Sequence, residues 1–179
     1  MAGPGDNAAL AVIIPALNEE RRIEACLESV GDDRMLEIVV VDGGSSDETR
    51  RKAAGAGARV VESERGRGQQ LNRGAEATTA PRLFFVHADC LLPPNWFEPL
   101  CDALDDGLTS LACFYLRTMS VKNRRASLFS TLALRVFDLR SRGSRLPYGD
   151  QGFAVRREII ETVGGFPDQV LMEDIAFAR

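Results

Sequence analysis

The sequence predicts an α/β fold in which helices cover both faces of a mostly parallel sheet. Short apolar runs alternate four times with segments whose apolar residues recur at helical spacing, and the connections between them are short. Strands that are buried on both faces form continuous apolar runs, and their crossover helices pack on the two faces of the sheet. The 179 residues, 45% of them apolar and 27% charged, are enough for a single globular domain.

The first part of the chain supplies the predicted sheet and its covering helices. The strands are short apolar runs rich in β-branched or aromatic residues, expected over residues 10–14, 36–41, 59–61, 82–86 and 111–116. The first helix is expected after Asn18, where Ile23, Leu27 and Val30 are spaced for one helical face. The others are expected from residue 47 to the glycines at 55 and 57, over 68–77, and from the proline pair at 93 and 94 to residue 104. We expect Ser45 or Ser46 to cap the second helix.

The second part of the chain has a different pattern. Residues 124–139 predict a helix, residues 147–152 a loop and residues 153–155 a strand. A short helix over 157–163 ends at two glycines, and another helix begins at residue 172.

Ligands of open parallel sheets bind beyond the carboxyl ends of the strands. Four segments follow strands in this way, over residues 15–19, 42–47, 62–67 and 87–89. We therefore expect the functional residues of this chain in these four connections.

Asp42 is the first candidate, because an apolar strand ends at it and two glycines follow it. Glycines let the backbone approach a ligand, and an acidic residue at such a position accepts hydrogen bonds from a nucleotide. The same pattern is typical of an Asp-Gly turn before a serine cap. The motif alone leaves both interpretations open.

His87 and Asp89 follow the strand over residues 82–86. A carboxylate there suits Mg²⁺ or Mn²⁺, which prefer oxygen ligands and share them with phosphates. His87 is the only histidine of the chain, and a lone histidine is more often structural.

Residues 65–74 combine arginines with glycines before a helix, and Arg67 is the candidate there. Guanidinium groups and helix N-terminal amides can hold a diphosphate, although a solvated basic loop has the same composition.

Glu173 and Asp174 open the last predicted helix, either as partners of its dipole or as a general base. Gln151 lies in a polar loop that contacts a substrate or simply turns the chain.

The composition argues against several classes of protein. A net charge of −4 is not that of a dedicated nucleic-acid binder, and four cysteines without a Cys-X-X-Cys pair do not suggest a structural zinc site. The chain shows no signal-peptide pattern and no apolar run long enough to cross a bilayer. We expect a cytoplasmic protein.

Residues 117–145 carry eight basic residues and one acidic residue. The amphipathic part of this segment, residues 127–139, suits a peripheral contact with the inner face of the membrane. It equally suits a helix that packs on the sheet, or a homodimer contact, with its arginines in solvent. We favour packing.

Together, these segments resemble the family-2 glycosyltransferases, which have the GT-A fold, a Rossmann-like mostly parallel sheet. The resemblance covers nearly the whole chain, and its five motifs occur in the family's order at residues 12–20, 41–47, 87–89, 164–166 and 173–174. Variants at 66–72, 87–89 and 148–151 resemble a bacterial subgroup described as radical-SAM or selenium-domain associated.

The resemblance implies a role for each matched residue. Asp42 would contact the nucleotide of a nucleotide-sugar donor, UDP-linked in most of the family, in a pocket also lined by Pro15, Asn18 and Glu19. Asp89 matches the second acid of the family's Asp-X-Asp motif and would bind a divalent cation, while His87 replaces the first acid. Asp174, beside Glu173, matches the catalytic base of an inverting transfer to an acceptor that the sequence does not identify.

The resemblance also implies an organisation, a single GT-A domain over residues 1–179. Its nucleotide-binding half would span about residues 8–116 and its acceptor-side half about 117–179. Family members usually continue beyond the Glu-Asp motif, so we expect this chain to be truncated at its C-terminus.

Three alternatives remain open at this point. A sugar-nucleotide pyrophosphorylase would need a glycine-rich first loop with a lysine, whereas residues 16–20 are acidic. A non-catalytic nucleotide-sugar-binding module would fit a truncated C-terminus. A dinucleotide-binding oxidoreductase is the least favoured of the three, because the chain lacks its glycine fingerprint. The chain also lacks the glycine-lysine motif of a P-loop enzyme, which argues against that class.

Overall fold

The computed structural model describes residues 8–33, 35–114 and 152–167. The described strands are β1 (Leu10–Ala16), β2 (Leu36–Asp42), β3 (Arg59–Glu62), β4 (Arg82–Phe85), β5 (Leu111–Cys113) and β6 (Phe153–Arg156). The described helices are α1 (Ile23–Val30), α2 (Thr49–Gly55), α3 (Arg67–Glu76), α4 (Phe97–Asp105) and α5 (Arg157–Val163).

The six strands form one mixed sheet in the order β3-β2-β1-β4-β6-β5. Strands β3, β2, β1 and β4 are parallel to one another, while β6 runs antiparallel to both β4 and β5. The predicted α/β class with a mostly parallel sheet is therefore confirmed. The carboxyl ends of β1, β2, β3 and β4 lie at one edge of the sheet, called here the carboxyl edge.

Apolar side chains cover both faces of the sheet. On one face, Val12, Ile14 and Phe84 pack against apolar residues of α1 and α4. On the other face, Ile13 and Phe85 pack against α3, α5 and the turn that follows α5. Successive residues of β1 therefore serve opposite cores, which explains why the whole strand is apolar.

Three predicted boundaries were wrong, each for a tertiary reason. β1 extends to Ala16 because Pro15 and Ala16 pair with Val41 and Asp42 of β2. α2 begins at Thr49 without a serine cap. The helix predicted to begin at the proline pair begins at Phe97, because the Asn95 backbone has φ = 57°, outside the helical region, and the indole of the buried Trp96 is held by a hydrogen bond to the Val30 carbonyl of α1.

Several predictions lie outside the described residues. They are the helix over 124–139, the loop residue Gln151, the basic segment 117–145, and Glu173 and Asp174. Within the described ranges, none of the helices combines the length and apolarity that crossing a bilayer requires.

Candidate functional site at the carboxyl edge

The strand order brings the predicted connections to one place. β1 lies between β2 and β4, and Ala16 at the end of β1 is the register partner of Asp42. The Val86 amide, just beyond β4, donates to the Ile13 carbonyl of β1. Consequently, Asp42 and the segment containing His87 and Asp89 follow strands on either side of β1.

Asp42 is almost completely buried, with a side chain only 1% exposed. Its Oδ2 atom accepts hydrogen bonds from the Gly44 amide at 3.1 Å and the Ser45 amide at 3.0 Å. The guanidinium of Arg50 lies 3.7 Å from the same oxygen. The other oxygen, Oδ1, is buried and has no hydrogen-bond partner among the described residues. A buried acceptor without a partner costs free energy, so Oδ1 calls for a donor from outside this set.

Asn18 ties the connection after β1 to the connection after β2. Its backbone has φ = 56°, in the left-handed region that asparagine tolerates better than most residues. Its side-chain Oδ1 accepts a hydrogen bond from the Ser46 backbone amide at 2.9 Å, and the Asn18 backbone amide donates to Ser45 Oγ at 2.9 Å. These reciprocal contacts fix the exposed Asn18 next to the Asp42 loop.

A second set of contacts joins the same two connections. The Glu19 amide donates to Thr49 Oγ1 at 2.8 Å, and the Glu20 amide donates to Asp47 Oδ2 at 3.2 Å. Lys52 reaches back from α2 to the Glu20 carbonyl at 2.7 Å. Ser45, Asp47 and Thr49 therefore act between loops, which explains why the predicted serine cap of α2 is absent.

Hydrogen bonding also shifts the pKa of Asp47. Desolvation opposes its ionised form, but hydrogen bonds from the Thr49 hydroxyl, the Thr49 amide and the Glu20 amide outweigh that effect and lower its pKa. At neutral pH the ionised Asp47 carboxylate thus links the two connections by hydrogen bonds.

Gln70 is a residue of this region that sequence reasoning missed. It is buried on α3, and its Nε2 donates to the Ala16 carbonyl at 3.0 Å and to the Val41 carbonyl at 2.8 Å. Both acceptors lie at the strand ends that precede Asn18 and Asp42. The only signal in the sequence was a glutamine on the face of α3 that also carries Leu71 and Gly74.

α3 approaches the sheet closely because it has glycine at the contact. A Cβ atom on Gly74 would lie 2.3 Å from Ile13 Cγ2, closer than atoms can pack. Arg67, the predicted diphosphate contact, is the exposed first residue of this helix. It therefore follows the carboxyl end of β3, one connection away from Asp42.

His87 and Asp89 follow β4, and they differ in exposure. His87 is half-buried, and its carbonyl accepts from the Cys90 amide at 3.0 Å and the Cys26 thiol at 3.5 Å. Burial raises the pKa of the Cys26 thiol to about 12, with the charges of Cys90, Asp89 and Glu19 adding to the effect. Asp89 itself is exposed, with its Oδ1 atom 3.9 Å from the Cys90 sulfur.

Asp89 has the donor chemistry that Mg²⁺ or Mn²⁺ requires. Magnesium sites commonly use one or two protein carboxylates together with substrate phosphates, so one exposed carboxylate at a strand end fits. Within the described ranges, no group of three or more His, Cys, Asp or Glu side chains is arranged to hold a metal.

The groove between α1 and α2 is separate from these residues. It has a volume of about 590 Å³ and is lined by charged side chains of both helices, among them Glu24, Glu28 and Arg51. It contains none of the predicted site residues, and we do not assign it to the site.

Curated relatives of this chain are sugar-transfer enzymes. Glucosyl-3-phosphoglycerate synthase from Mycobacterium tuberculosis H37Rv is 32% identical over 148 residues, which is 74% of this chain and 46% of that protein. Glycosyltransferase AglJ from Haloferax volcanii is 31% identical over 101 residues, 55% of this chain and 33% of that protein. The chain thus spans about half or less of the length of these relatives.

Solved structures of glycosyltransferases share the fold. One is a mannosyltransferase from Pyrobaculum calidifontis in complex with GDP-Man and Mn²⁺, which is 26% identical with a TM-score of 0.71. The alignment covers 97% of this chain and 52% of the mannosyltransferase chain. The M. tuberculosis synthase, in complex with Mn²⁺, UDP-glucose and phosphoglyceric acid, is 29% identical with a TM-score of 0.62, covering 86% of this chain and 58% of its own. The sheet is thus of the GT-A type.

The sequence model of the family "glycosyl transferase family 2" matches residues 11–164, most of the chain. This match includes both halves of the described carboxyl edge, from Pro15 to His87 and Asp89. The chain belongs to glycosyl transferase family 2.

Proposed function

We propose that this chain is the donor-binding part of a glycosyltransferase that transfers a sugar from a nucleoside diphosphate to an acceptor hydroxyl. The observation that carries the proposal is the buried Asp42 Oδ1 atom, which has no partner among the described residues. A carboxylate oxygen can only accept, so its partner must present a donor such as the N–H of a nucleobase.

The fixed geometry of Asp42 supports a choice among bases. Because Oδ2 already accepts from the Gly44 and Ser45 amides, Oδ1 is left to meet the ligand. At the centre of the pairing edge uracil and guanine carry a ring N–H, whereas cytosine and adenine carry a lone pair there and a donor only in the neighbouring exocyclic amino group. A site that depends on one buried hydrogen bond discriminates strongly against a ligand that cannot make it.

Both favoured bases occur in the similar structures, one with GDP-Man and one with UDP-glucose. The curated relative that is 32% identical over 148 residues is the synthase that was solved with UDP-glucose. We therefore propose a uridine diphosphate sugar as donor, with Pro15, Asn18 and Glu19 beside the nucleoside and Arg67 toward the diphosphate.

Asp89 would hold the divalent cation, Mn²⁺ or Mg²⁺, together with the diphosphate. The cation would supply positive charge to the departing nucleoside diphosphate. His87 would line the same pocket from the adjacent backbone, and Gln151 would contact the donor sugar. The acceptor is not identified by any described residue.

The proposed reaction is one in-line displacement with inversion. The acceptor oxygen forms a bond to the anomeric carbon while the bond from that carbon to the diphosphate oxygen breaks. The acceptor proton passes to the Asp174 carboxylate, with Glu173 beside it, and the nucleoside diphosphate leaves. Positioning and electrostatic stabilisation would supply most of the rate enhancement.

Isothermal titration with UDP, GDP, CDP and ADP in the presence of Mn²⁺ tests the donor site. We expect the unmodified chain to bind UDP or GDP at least about tenfold more tightly than CDP and ADP, a difference of about 1.4 kcal/mol. Equal affinity for all four nucleotides would contradict the role of Asp42.

The variant Asp42→Asn sharpens the test because it replaces one oxygen by an amide donor. The amide oxygen can still accept from the Gly44 and Ser45 amides, so the NH₂ group faces the base. We expect UDP affinity to fall about a hundredfold while CDP affinity holds or rises. Asp102→Asn is the matched control, because it makes the same chemical change at an exposed residue of α4, away from the Asp42 loop. Its UDP affinity should stay within about twofold of the parent.

A further inference from the structure

We propose that Gln70 is the positioning residue of the nucleotide site, an inference that rests on the proposed function. Gln70 is only 6% exposed and lies within α3, on the side of the helix that faces the sheet. It makes no contact with the base in this proposal. It acts through the backbone of the two connections that carry Asn18 and Asp42.

The first observation is what the Gln70 amide binds. Its Nε2 atom bridges the Ala16 carbonyl at 3.0 Å and the Val41 carbonyl at 2.8 Å, which belong to neighbouring strands. The Ala16 carbonyl also accepts from the Gly43 amide at 2.9 Å. One side chain therefore joins the last residues of β1 and β2, at the point where both strands leave the sheet.

The second observation is the close fit between Gln70 and Gly43. A Cβ atom on Gly43 would lie 3.0 Å from the Gln70 Cδ atom and 3.1 Å from both Nε2 and Oε1. Gly43 is not among the glycines with positive φ. Glycine is therefore required at this position by the lack of space and not by the backbone conformation. The Gln70 amide occupies the space that a side chain would need.

These contacts place Gln70 directly under the Asp42 loop. Gly43 lies between Asp42 and the two amides, of Gly44 and Ser45, that orient the Asp42 carboxylate. When Gly43 is supported from below, both N–H groups point at Oδ2 and leave Oδ1 for the ligand. Loss of the support would let the loop relax, and the ligand would then have to order it on binding.

Asn72 offers a matched control on the same helix. Its side chain also bridges two backbone groups, accepting from the Phe166 amide at 2.8 Å and donating to the Phe166 carbonyl at 2.9 Å. It therefore fastens α3 to the turn after α5 rather than to the ends of β1 and β2. Variants of Gln70 and Asn72 remove equivalent amide contacts, but only Gln70 supports the Asp42 loop.

The experiment compares Gln70→Met with Asn72→Leu in the 179-residue chain, since the first keeps the approximate length of the side chain, the second keeps its branched shape, and both remove the bridging amide. Melting temperature is measured first, and both variants are expected to melt lower than the parent. UDP affinity is then measured by titration with Mn²⁺. We expect a loss of about tenfold for Gln70→Met and less than about twofold for Asn72→Leu. Equal losses in the two variants would overturn the inference, because they would show a general effect of α3 stability.

Gly43→Ala provides a second, independent test. In the parent chain the new Cβ would lie 3.0 Å from Gln70 Cδ, so the Gln70 amide must shift and UDP binding should weaken, though by less than in Gln70→Met. In a Gln70→Ala background the space is open, so Gly43→Ala should have little further effect. Additive losses in the double variant would overturn the proposed fit.

Hydrogen exchange separates this inference from the proposed function. Without nucleotide, Gln70→Met should speed exchange of the Gly44 and Ser45 amides, and Asn72→Leu should not. If the parent binds no nucleotide, the proposed function fails, and the role of Gln70 in nucleotide binding fails with it. If the parent binds UDP and Gln70→Met changes neither affinity nor exchange, the inference alone fails.

Discussion

The carboxyl edge has two regions that each carry a carboxylate, one buried and hydrogen-bonded and the other exposed. At the end of β2, Asp42 has a side chain 1% exposed and accepts two backbone hydrogen bonds at one oxygen. After β4, Asp89 is exposed and its described contact is a weak one with the Cys90 sulfur. The first group is fixed before any ligand arrives, whereas the second is free to follow a ligand. If Asp42 binds the nucleoside as proposed, preorganisation of this kind favours selectivity, because the carboxylate is ordered before the ligand binds.

The largest expected effect lies on the exposed side of this comparison. Asp89→Ala should reduce Mn²⁺-dependent sugar transfer about a thousandfold, because about 4 kcal/mol of charge stabilisation at the diphosphate would be lost. Its effect on the free energy of unfolding should stay within about 0.5 kcal/mol, as for other exposed substitutions. Transfer assays with and without Mn²⁺, beside a urea titration, measure both quantities.

Asp89→Asn is the control, since it keeps the size of the side chain and one oxygen ligand. It should retain weak binding of Mn²⁺ in the presence of UDP, measured by electron paramagnetic resonance, while Asp89→Ala should retain none. Full Mn²⁺-dependent turnover in Asp89→Ala would show that the cation is held elsewhere, and the contrast between the two carboxylates would lose its functional meaning.

A smaller effect is expected at the exposed Asn18, which lies next to the loop of the buried Asp42. Asn18→Ala removes the acceptor for the Ser46 amide and places alanine at φ = 56°, so it should cost about 2 kcal/mol of unfolding free energy. Asn18→Gly loses the same hydrogen bond but accepts the conformation, and should cost about 1 kcal/mol less than alanine. Urea titration of the two variants separates backbone strain from the hydrogen bond. Equal stabilities would mean that the left-handed conformation at Asn18 contributes nothing.

The sequence predicted the sheet better than it predicted the helix starts, and the reason is physical. The strands are buried on both faces, so their apolar runs are visible whatever the loops do. Helix starts depend on which partners the polar residues choose. Ser45 accepts a hydrogen bond from Asn18 instead of capping α2, and the left-handed backbone of Asn95, with φ = 57°, separates α4 from the prolines.

The same distinction applies to the candidate site. Asp42 and Asp89 were recognisable because each follows an apolar strand, and the position of a strand end is a local property. Gln70 was not recognisable, because its function depends on two carbonyls that are 29 and 54 residues away along the chain. That one of the two carboxylates is buried and the other exposed also follows only from packing.

The smallest expected effect concerns Asp47, which joins the connections after β1 and β2. Its pKa is lowered in the folded chain, so the folded state binds fewer protons than the unfolded state as the pH falls. The stabilisation from Asp47 is therefore complete above the unfolded pKa, about 3.9, and is lost as the pH falls through the lower folded value. Asp47→Asn should then reduce stability at pH 7, and the difference from the parent should shrink below about pH 4.

Thr49→Val tests the cause of that shift, because it removes the hydroxyl that donates to Asp47 Oδ1 at 2.5 Å and leaves the carboxyl in place. Carbon-detected titration of Asp47 should show its pKa rising toward the ordinary value in this variant. The Glu19 amide loses its Thr49 acceptor at the same time, so the exchange of that amide should accelerate. An unchanged Asp47 pKa would assign the shift to the backbone donors alone, and the rigidity of the buried side would then depend on main-chain geometry rather than on the Thr49 side chain.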